Sequence, residues 1–533
     1  MKLVSVSEMQ AIERESDQQG WTYAQMMEKA GQGLADVVQS FYGYEERQTA
    51  LGLIGSGNNG GDTLIALEAL ARQGWQSRAY LVRPRPAQDP LLQRLKDAGG
   101  ELAGPAEDLS RLAGWLAEAT VVLDGVLGTG IRLPLKAEVA RVLDFVRQYP
   151  DLGSVVAVDC PSGVDLDSGA AAAEAIPADV TVCMAAVKEG LLRFPAFQLA
   201  GSLEVVDIGL PEGLPAWESV QAEMVDDAMV RTILPKRSPN SHKGTFGTVC
   251  VVAGSLNYTG AALLCASAAY RIGAGLVQIA APAPLHAALA GQIPEATWVL
   301  LPHEMGVIAE RAVDELAQHL ENVDLLLFGP GFGVEETTAG FVRRLVEGSE
   351  RKAGAGMGFV GRSAGAPGSV FRLPPVVVDA DGLKLLSRVP DWPRKLPEGA
   401  VLTPHPGEMA ILTGTSVQEI QADRLGTARK YAGEWGHTVI LKGAMTVVAE
   451  PGGRVRVIPV ATSALAHAGT GDVLAGMVAG LRAQGVASFE AAVAAAWLHA
   501  QAGLVAAEQI GHPAAVLAGD LIGALPEVLA WVW

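Results

Sequence analysis

Two α/β domains in tandem, each a parallel sheet sheathed in helices, are what this sequence predicts, and three observations predict them. Short apolar runs with no polar face recur from Thr49 onward, as strands covered on both sides require. Helical patterns separate these runs. A segment rich in proline, glycine and charge, Leu210 to Gly247, interrupts the rhythm before a second alternation begins. It places the boundary near Met224 and gives domains of residues 1–223 and 224–533. A chain of 533 residues, 49% of them hydrophobic, has material for more than one core.

In the first half the strands are "TALGLIG", "RAYLVRP", "TVVLDGVLG", "SVVAVDC", "DVTVCMAA" and "SLEVVDIGL". In the second they are "TVCVVAG", "GLVQIAA", "VDLLLFGP", "PPVVVDADG", "GAVLTPHPG", "HTVILKG", "MTVVAEP" and "RVRVIPV". The last of these stand so close together that they predict antiparallel hairpins. Glu347 to Pro375 is glycine-rich and non-periodic, and reads as a mobile surface insertion instead of a site.

A formal charge of −18 argues against a nucleic-acid or anionic-membrane surface, so a small-molecule partner is expected. Cys160, Cys183, Cys250 and Cys265 lie apart in mostly apolar runs, without C-x-x-C spacing, and read as reduced core thiols. The first twenty residues are charged and amphipathic where a signal peptide would be apolar, and no stretch reaches about 18 uninterrupted apolar residues. These features point to a cytoplasmic enzyme.

In a parallel sheet, ligands bind beyond the carboxyl ends of the strands. Three such ends in the first half carry polar groups: "GSGNNGGD" (Gly55 to Asp62), "LDGVLGTGIRLP" (Leu123 to Pro134) and "VDCPSGVDLDSG" (Val158 to Gly169). The first is not the G-x-G-x-x-G of a dinucleotide site, because asparagines follow its second glycine. Asn59, Asp124 and Ser162 offer hard oxygen ligands with few carboxylates, which suits potassium better than magnesium. Asp159 is a candidate acid/base, and the glycines around Gly128 and Gly130 let backbone amides approach a phosphate. Taken singly, each loop is also an ordinary Gly/Asn/Asp turn.

Those three motifs resemble the N-terminal domain of the bifunctional NAD(P)H-hydrate repair enzymes, the NAD(P)HX epimerases. The resemblance implies that Asn58, Asn59, Gly60, Gly61 and Asp62, with Gly128, Thr129, Gly130, Ile131, Arg132, Leu133 and Pro134, contact the substrate. It sets Asp159 at the reacting ring and Asn59, Asp124 and Ser162 on a potassium ion. Lys188, in "AAVKEGLL", matches a lysine of the family's closing motif and joins Asp159 as a catalytic candidate. Thr63 stands where the family usually has glycine, which would narrow the pocket.

In the second half, "HAGTGDVLAGMVAGLRAQG" (His467 to Gly485) reads as a glycine turn, an aspartate and a helix. Backbone N–H groups of Gly469 to Gly471 would form an anion hole, with Asp472 placed to take a proton from a hydroxyl being phosphorylated. The same pattern also suits a plain helix start with an acidic first turn. His405, flanked by Pro404 and Pro406 at a strand end, has a better case than His319 or His437. Lys442 is either a strand-end surface charge or, with Gly443, a phosphate contact.

"VAGSLNYTGAA", "FGPGFG", "VVVDADGL", "LTPHPGEMAIL" and "ILKGAMTVV" follow in an order similar to the ADP- or ATP-dependent NAD(P)H-hydrate dehydratases, over about Lys243 to Gly485. This implies a ribokinase-like α/β domain behind a Rossmann-like three-layer α/β/α domain. Ala261, Gly331, His405 and Asp472 would meet the hydrate. Lys442, Gly443, Ala444, Met445, Thr446 and Gly471 would meet ADP or ATP, with magnesium. "ATSALAH", Ala461 to His467, departs from the family's usual G-N-P-G-M-A-T. The expected partners are the hydrates of NADH and NADPH and an adenine nucleotide, without nucleic acid or membrane, in a homo-oligomer. An alternative is a ribokinase-type small-molecule kinase fused to a non-catalytic Rossmann-like binding module.

Overall fold

The computed structural model describes residues 1–104, 109–348 and 373–532. The Glu347–Pro375 insertion therefore falls almost wholly outside the described residues. The chain forms two compact units, Met1–Ala222 and Glu223–Trp533. Residue 223 belongs to the second because the strand Ala222–Met224 joins that unit's sheet, and Glu223 there pairs with Arg456 at 3.0 Å.

In the first unit, α1 (Val6–Gln18) starts at Ser5 and α2 (Tyr23–Tyr42) at Thr22, each through a capping box with Glu8 or Gln25. Seven strands follow: β1 (Thr49–Ile54), β2 (Gln76–Leu81), β3 (Glu101–Ala103), β4 (Val121–Gly125), β5 (Ser154–Val158), β6 (Val180–Met184) and β7 (Ser202–Val206). They lie in the order β3-β2-β1-β4-β5-β6-β7, and every pairing is parallel. β1, β4 and β6 are buried along their whole length, as their unbroken apolar pattern requires. Separate apolar clusters fill the two faces, so this is the expected three-layer Rossmann-like sandwich.

The strand order reverses between β1 and β4, which opens the crevice where such sheets bind ligands. Register sets three loops side by side there, because Leu53 is opposite Asp124 and Asp124 is opposite Ala157. Helix α3 (Asn58–Arg72) begins in the first loop. A further short parallel pair, Leu3–Val4 with Val187–Lys188, ties the start of the unit to Lys188.

The second unit has β8 (Ala222–Met224), β9 (Thr248–Val252), β10 (Leu276–Pro282), β11 (Thr297–Leu301), β12 (Leu325–Phe328), β13 (Val376–Val378), β14 (Val401–Leu402), β15 (Thr438–Leu441), β16 (Val447–Ala449) and β17 (Val455–Val457). Their order is β8-β17-β16-β15-β14-β13-β12-β9-β10-β11. Strands β9 to β15 pair in parallel, and β15-β16-β17 extend the sheet as the antiparallel hairpins expected from their close spacing. Strand β11 is absent from the sequence reading, because an edge strand alternates buried and exposed positions and so lacks a solid apolar run.

Here too the ends align: Val252 is opposite Phe328, Phe328 opposite Val378, and Val378 opposite Leu402. The residues just beyond them therefore meet at one edge. Helices α4 (Gly260–Arg271), α5 (Pro406–Thr413), α6 (Arg424–Trp435), α7 (Thr470–Ala483) and α8 (Ser488–Ile510) surround that edge or the sheet's faces. Helix α8 is long and apolar enough to cross a membrane, but 83% of its most apolar window is buried in this unit. All four cysteines are buried and unbridged.

Candidate functional site

In the first unit, the loops after β1, β4 and β5 frame two adjoining cavities. The smaller, of roughly 100 Å³, is lined by Asn58, Asn59, Asp62, Thr129 and Asp159 together with Glu13 and apolar residues of α2. The larger, of roughly 230 Å³, shares Asn58, Asn59 and Thr129 and adds Gly128, Gly130 and Ile131. Arg132, Leu133 and Pro134 continue this loop outward; they are exposed and line neither cavity. Arg85, ion-paired with Asp89 at 2.7 Å, donates to the carbonyls of Gly55 and Gly57 and so braces the glycine turn.

Asp159 sits on left-handed backbone, φ 66°, a conformation that persists only where its surroundings impose it. They do so here: Met184 N–H donates to Asp159 Oδ1 at 3.0 Å, and Lys188 Nζ pairs with the same oxygen. Lys188 is fully buried and also donates to the Met184 carbonyl at 3.0 Å. Burial opposes its charge, but Asp159 and the other acidic groups nearby hold its pKa above the usual lysine value. Asp62 is buried beside this pair. Burial first, then Asp159 and Glu13, drive its carboxyl well above the usual range.

Asn59, Asp124 and Ser162 converge beneath this cavity. Asp124 is fully buried; one oxygen accepts the Ser162 N–H at 2.7 Å and the other, Oδ1, has no hydrogen-bond partner among the described residues. The Ser162 hydroxyl accepts from Leu127 N–H at 2.9 Å. The Asn59 amide lies against the Leu127 and Val158 carbonyls, and against Gly128, where a side chain would collide with Oδ1 at 2.5 Å. A buried carboxylate oxygen without a donor, among neutral oxygens, is a donor set suited to a singly charged cation.

In the second unit, Asp472 occupies the first turn of α7 behind Gly469, whose φ is 90°. The Gly471 and Asp472 N–H groups have no acceptor within the helix by virtue of their position. Thr470 fastens the turn, its hydroxyl donating to the Leu465 and His467 carbonyls, while its own carbonyl meets His499 Nε2 at 2.8 Å. Burial above all, then Asp379, push Asp472 up to about 7, against the pull of Lys442. That value suits a proton acceptor working near neutrality.

Lys442 is no surface charge. Its ammonium pairs with the buried Asp379 at 2.6 Å and approaches Glu408 at 3.8 Å; burial pulls its pKa down, but Asp379, Glu408 and Asp472 together hold it above the usual lysine value. A side chain on Gly471 would come within 3.3 Å of the Lys442 nitrogen and 3.8 Å of Asp379 Oδ2, an oxygen without a hydrogen-bond partner among the described residues. Gly443 to Thr446 form the tight β15–β16 turn, which Arg424 of α6 clamps by donating to the Leu441 and Lys442 carbonyls. His405 caps α5, its Nδ1 accepting from Gly407 and its Nε2 lying 3.2 Å from Glu408, with the ring half exposed. Ala261 and Gly331 touch each other: a side chain on Gly331 would collide with Ala261 Cβ at 2.8 Å.

Residues 23–190 match the profile of a family described as YjeF-related protein N-terminus. Residues 249–352 and 369–527 match one described as NAD(P)H-hydrate dehydratase. The chain is 36% identical to the bifunctional NAD(P)H-hydrate repair enzyme Nnr of Moorella thermoacetica, across 99% of this chain and 97% of that one. It belongs to the bifunctional NAD(P)H-hydrate repair enzyme family. The enzyme of that name from Escherichia coli is 31% identical over 97% of this chain and 92% of its own. Among solved structures, the ADP/ATP-dependent NAD(P)H-hydrate dehydratase of Bacillus subtilis covers 58% of this chain and 98% of its own, at 29% identity and a TM-score of 0.47.

Within this family member, Thr63 does not narrow the pocket as expected. Its side chain is wholly buried under the sheet, donating to the Asn59 carbonyl at 2.6 Å and filling the space left by Gly52 and Gly125. The altered Ala461–His467 segment still delivers the Leu465 and His467 carbonyls to Thr470. Four groups at the two sites were not singled out from sequence: Glu13, Asp379, Glu408 and Arg424. Asp379 and Glu408 lie inside motifs quoted above, just past strand ends, and that position was the available signal. Arg424 and Glu13 sit on helices outside the motifs they serve, where no local pattern marks them.

Proposed function

We propose that this chain restores hydrated NADH and NADPH, each unit performing one step. In the first unit Asp159, held by Lys188, acts as acid/base in interconverting the R and S forms at ring carbon C6. Burial raises the pKa of the Asp62 carboxyl, which favours its protonated form and with it a hydrogen bond donated to the substrate. Asn59, Asp124 and Ser162 hold a potassium ion, which supplies fixed positive charge near the substrate; the partnerless Asp124 Oδ1 supports that assignment.

In the second unit Asp472 accepts the proton of the C6 hydroxyl of the S form as its oxygen takes the terminal phosphoryl group of an adenine nucleotide. The N–H groups at the start of α7 stabilise the charge that develops, and Lys442 and Gly443 to Thr446 contact the nucleotide. Phosphate then leaves C6, pushed by the ring nitrogen, and a proton leaves C5 to restore the dihydropyridine ring. Hydroxide is a poor leaving group, which is the chemical reason for consuming a nucleotide. With ADP the other product is AMP, and ADP is the nucleotide we assign. Asp379 Oδ2 and Glu408 are the carboxylates suited to its magnesium. The four unbridged thiols support a reducing, cytoplasmic setting. A homo-oligomeric state belongs to the same proposal.

The observation that carries this reading is Asp472, a partly buried aspartate tuned to about 7 at an open helix N-terminus beside Lys442. The test is recovery of reduced nicotinamide absorbance from hydrated NADH with ADP or ATP. Accumulation of a stable phosphorylated product without recovery of NADH would establish the small-molecule kinase alternative instead.

A further inference from the structure

Glu13 occupies a position where chemistry explains what packing does not. Helix α1 buries Val6, Met9, Ile12 and Ser16, and residue 13 borders that stripe, where an apolar side chain would complete the seal. The chain has a carboxylic acid there instead. It lines the same cavity as Asp62, Asp159 and Asn59, whose remaining wall includes Met26 and Met27. Among the described residues Glu13 makes no hydrogen bond or ion pair. The charged groups facing it are Asp62, Asp159 and Lys188; burial raises its pKa, Lys188 opposes and Asp159 adds.

We infer that Glu13 is the second acid/base group of the first unit's site, acting on the substrate together with Asp159. The inference rests on the epimerase reading above. The oxygen of C6 can leave one face and water return to the other, and on that route one group releases a proton while another receives one. The Glu13 carboxyl protonates the C6 hydroxyl, the C6–O bond breaks as the N1 electron pair forms a C6=N1 double bond, and water departs. Water then adds to the other face of C6 and gives its proton to Asp159. Glu13 ends ionised and Asp159 protonated, and exchange with solvent resets them. In the opposite direction their roles exchange.

The experiment follows the disappearance of the separated R epimer with the full-length protein, in water enriched in oxygen-18. Wild-type protein should incorporate one solvent oxygen at C6 per inversion, and its rate should fall as pH rises through the Glu13 pKa. Glu13→Gln should lose about a hundredfold or more and lose that fall with pH, whereas Glu13→Asp should recover part of the rate. Dehydration of the S epimer by the same samples measures the concentration of working second unit, and an unchanged thermal transition of the first unit shows that its fold is intact. A Glu13→Gln protein within about threefold of wild type overturns the assignment, as does an alkaline fall that Asp62→Asn abolishes and Glu13→Gln does not. Inversion without oxygen-18 uptake overturns the step. Should Glu13→Gln fail to fold, the wild-type pH profile and Glu13→Asp decide. A wild-type protein that inverts nothing refutes the epimerase reading itself, an outcome distinct from either of these.

Discussion

Asp472 offers the sharpest test, because its environment predicts both a rate profile and a stability profile. With its pKa at about 7, roughly a tenth of the groups are ionised at about pH 6 and nine tenths at about pH 8. S-epimer dehydration should therefore rise about eight- to tenfold across that interval and level off above it. Asp472→Asn should abolish the rise and cost about a hundredfold to ten-thousandfold in rate, with nucleotide affinity nearly intact. Asp379→Asn removes the largest cause after burial, so its acidic limb should move to lower pH while most of the shift persists.

The stability profile has the opposite sign. Below pH 3.8 folded and unfolded chains both hold the proton and the group has no effect. As pH rises from there to about 7 the unfolded chain loses the proton while the folded one keeps it, so stability falls. Above about 7 the full penalty is present, on the order of 4 kcal/mol from a shift of about three pH units. Asp472→Asn should therefore unfold at a higher temperature than wild type at about pH 8, with the gap closing toward pH 4. A rate that is flat between about pH 6 and pH 8, or an Asn variant within about threefold of wild type, would refute the base assignment. An Asn variant no more stable than wild type at alkaline pH would refute the burial argument behind it.

Three further outcomes follow from the same geometry. Asp159→Ala in the intact protein should give a two-phase time course, with the S epimer repaired promptly and the R epimer draining only at the spontaneous rate; a single fast phase would remove Asp159 from epimerisation. Asp124→Ala or Asn59→Ala should weaken the potassium dependence of epimerisation, read as the salt concentration giving half-maximal rate, and undiminished activity in potassium-free buffer would show that the donor set is wrong. Gly125→Ala should lower the thermal transition by the equivalent of about 1–3 kcal/mol or more, because the new methyl would meet Thr63 Oγ1 at 1.9 Å, and Thr63→Gly in the same chain should relieve part of that loss, the Asn59 carbonyl at 2.9 Å remaining.

The sequence by itself determined what local pattern can carry. Two-sided apolar runs predicted parallel sheets, and polar clusters just beyond "LGLIG", "VVLDG" and "SVVAV" marked the crevice, because in such sheets a strand's carboxyl end and its ligand site are one place. Asn59, Asp124 and Ser162 were legible for that reason, and Asp472 because a glycine turn opening a helix is itself a local signal. What tertiary structure decided is where charge resides. Only the folded chain pairs Lys188 with Asp159, seats Lys442 on Asp379, and turns Thr63 under the sheet instead of into the pocket. Only the folded chain brings Glu13, on the first helix, into the cavity of Asp159. A pKa or an ion pair depends on distance through space and on exclusion of water, and neither is a property of spacing along the chain.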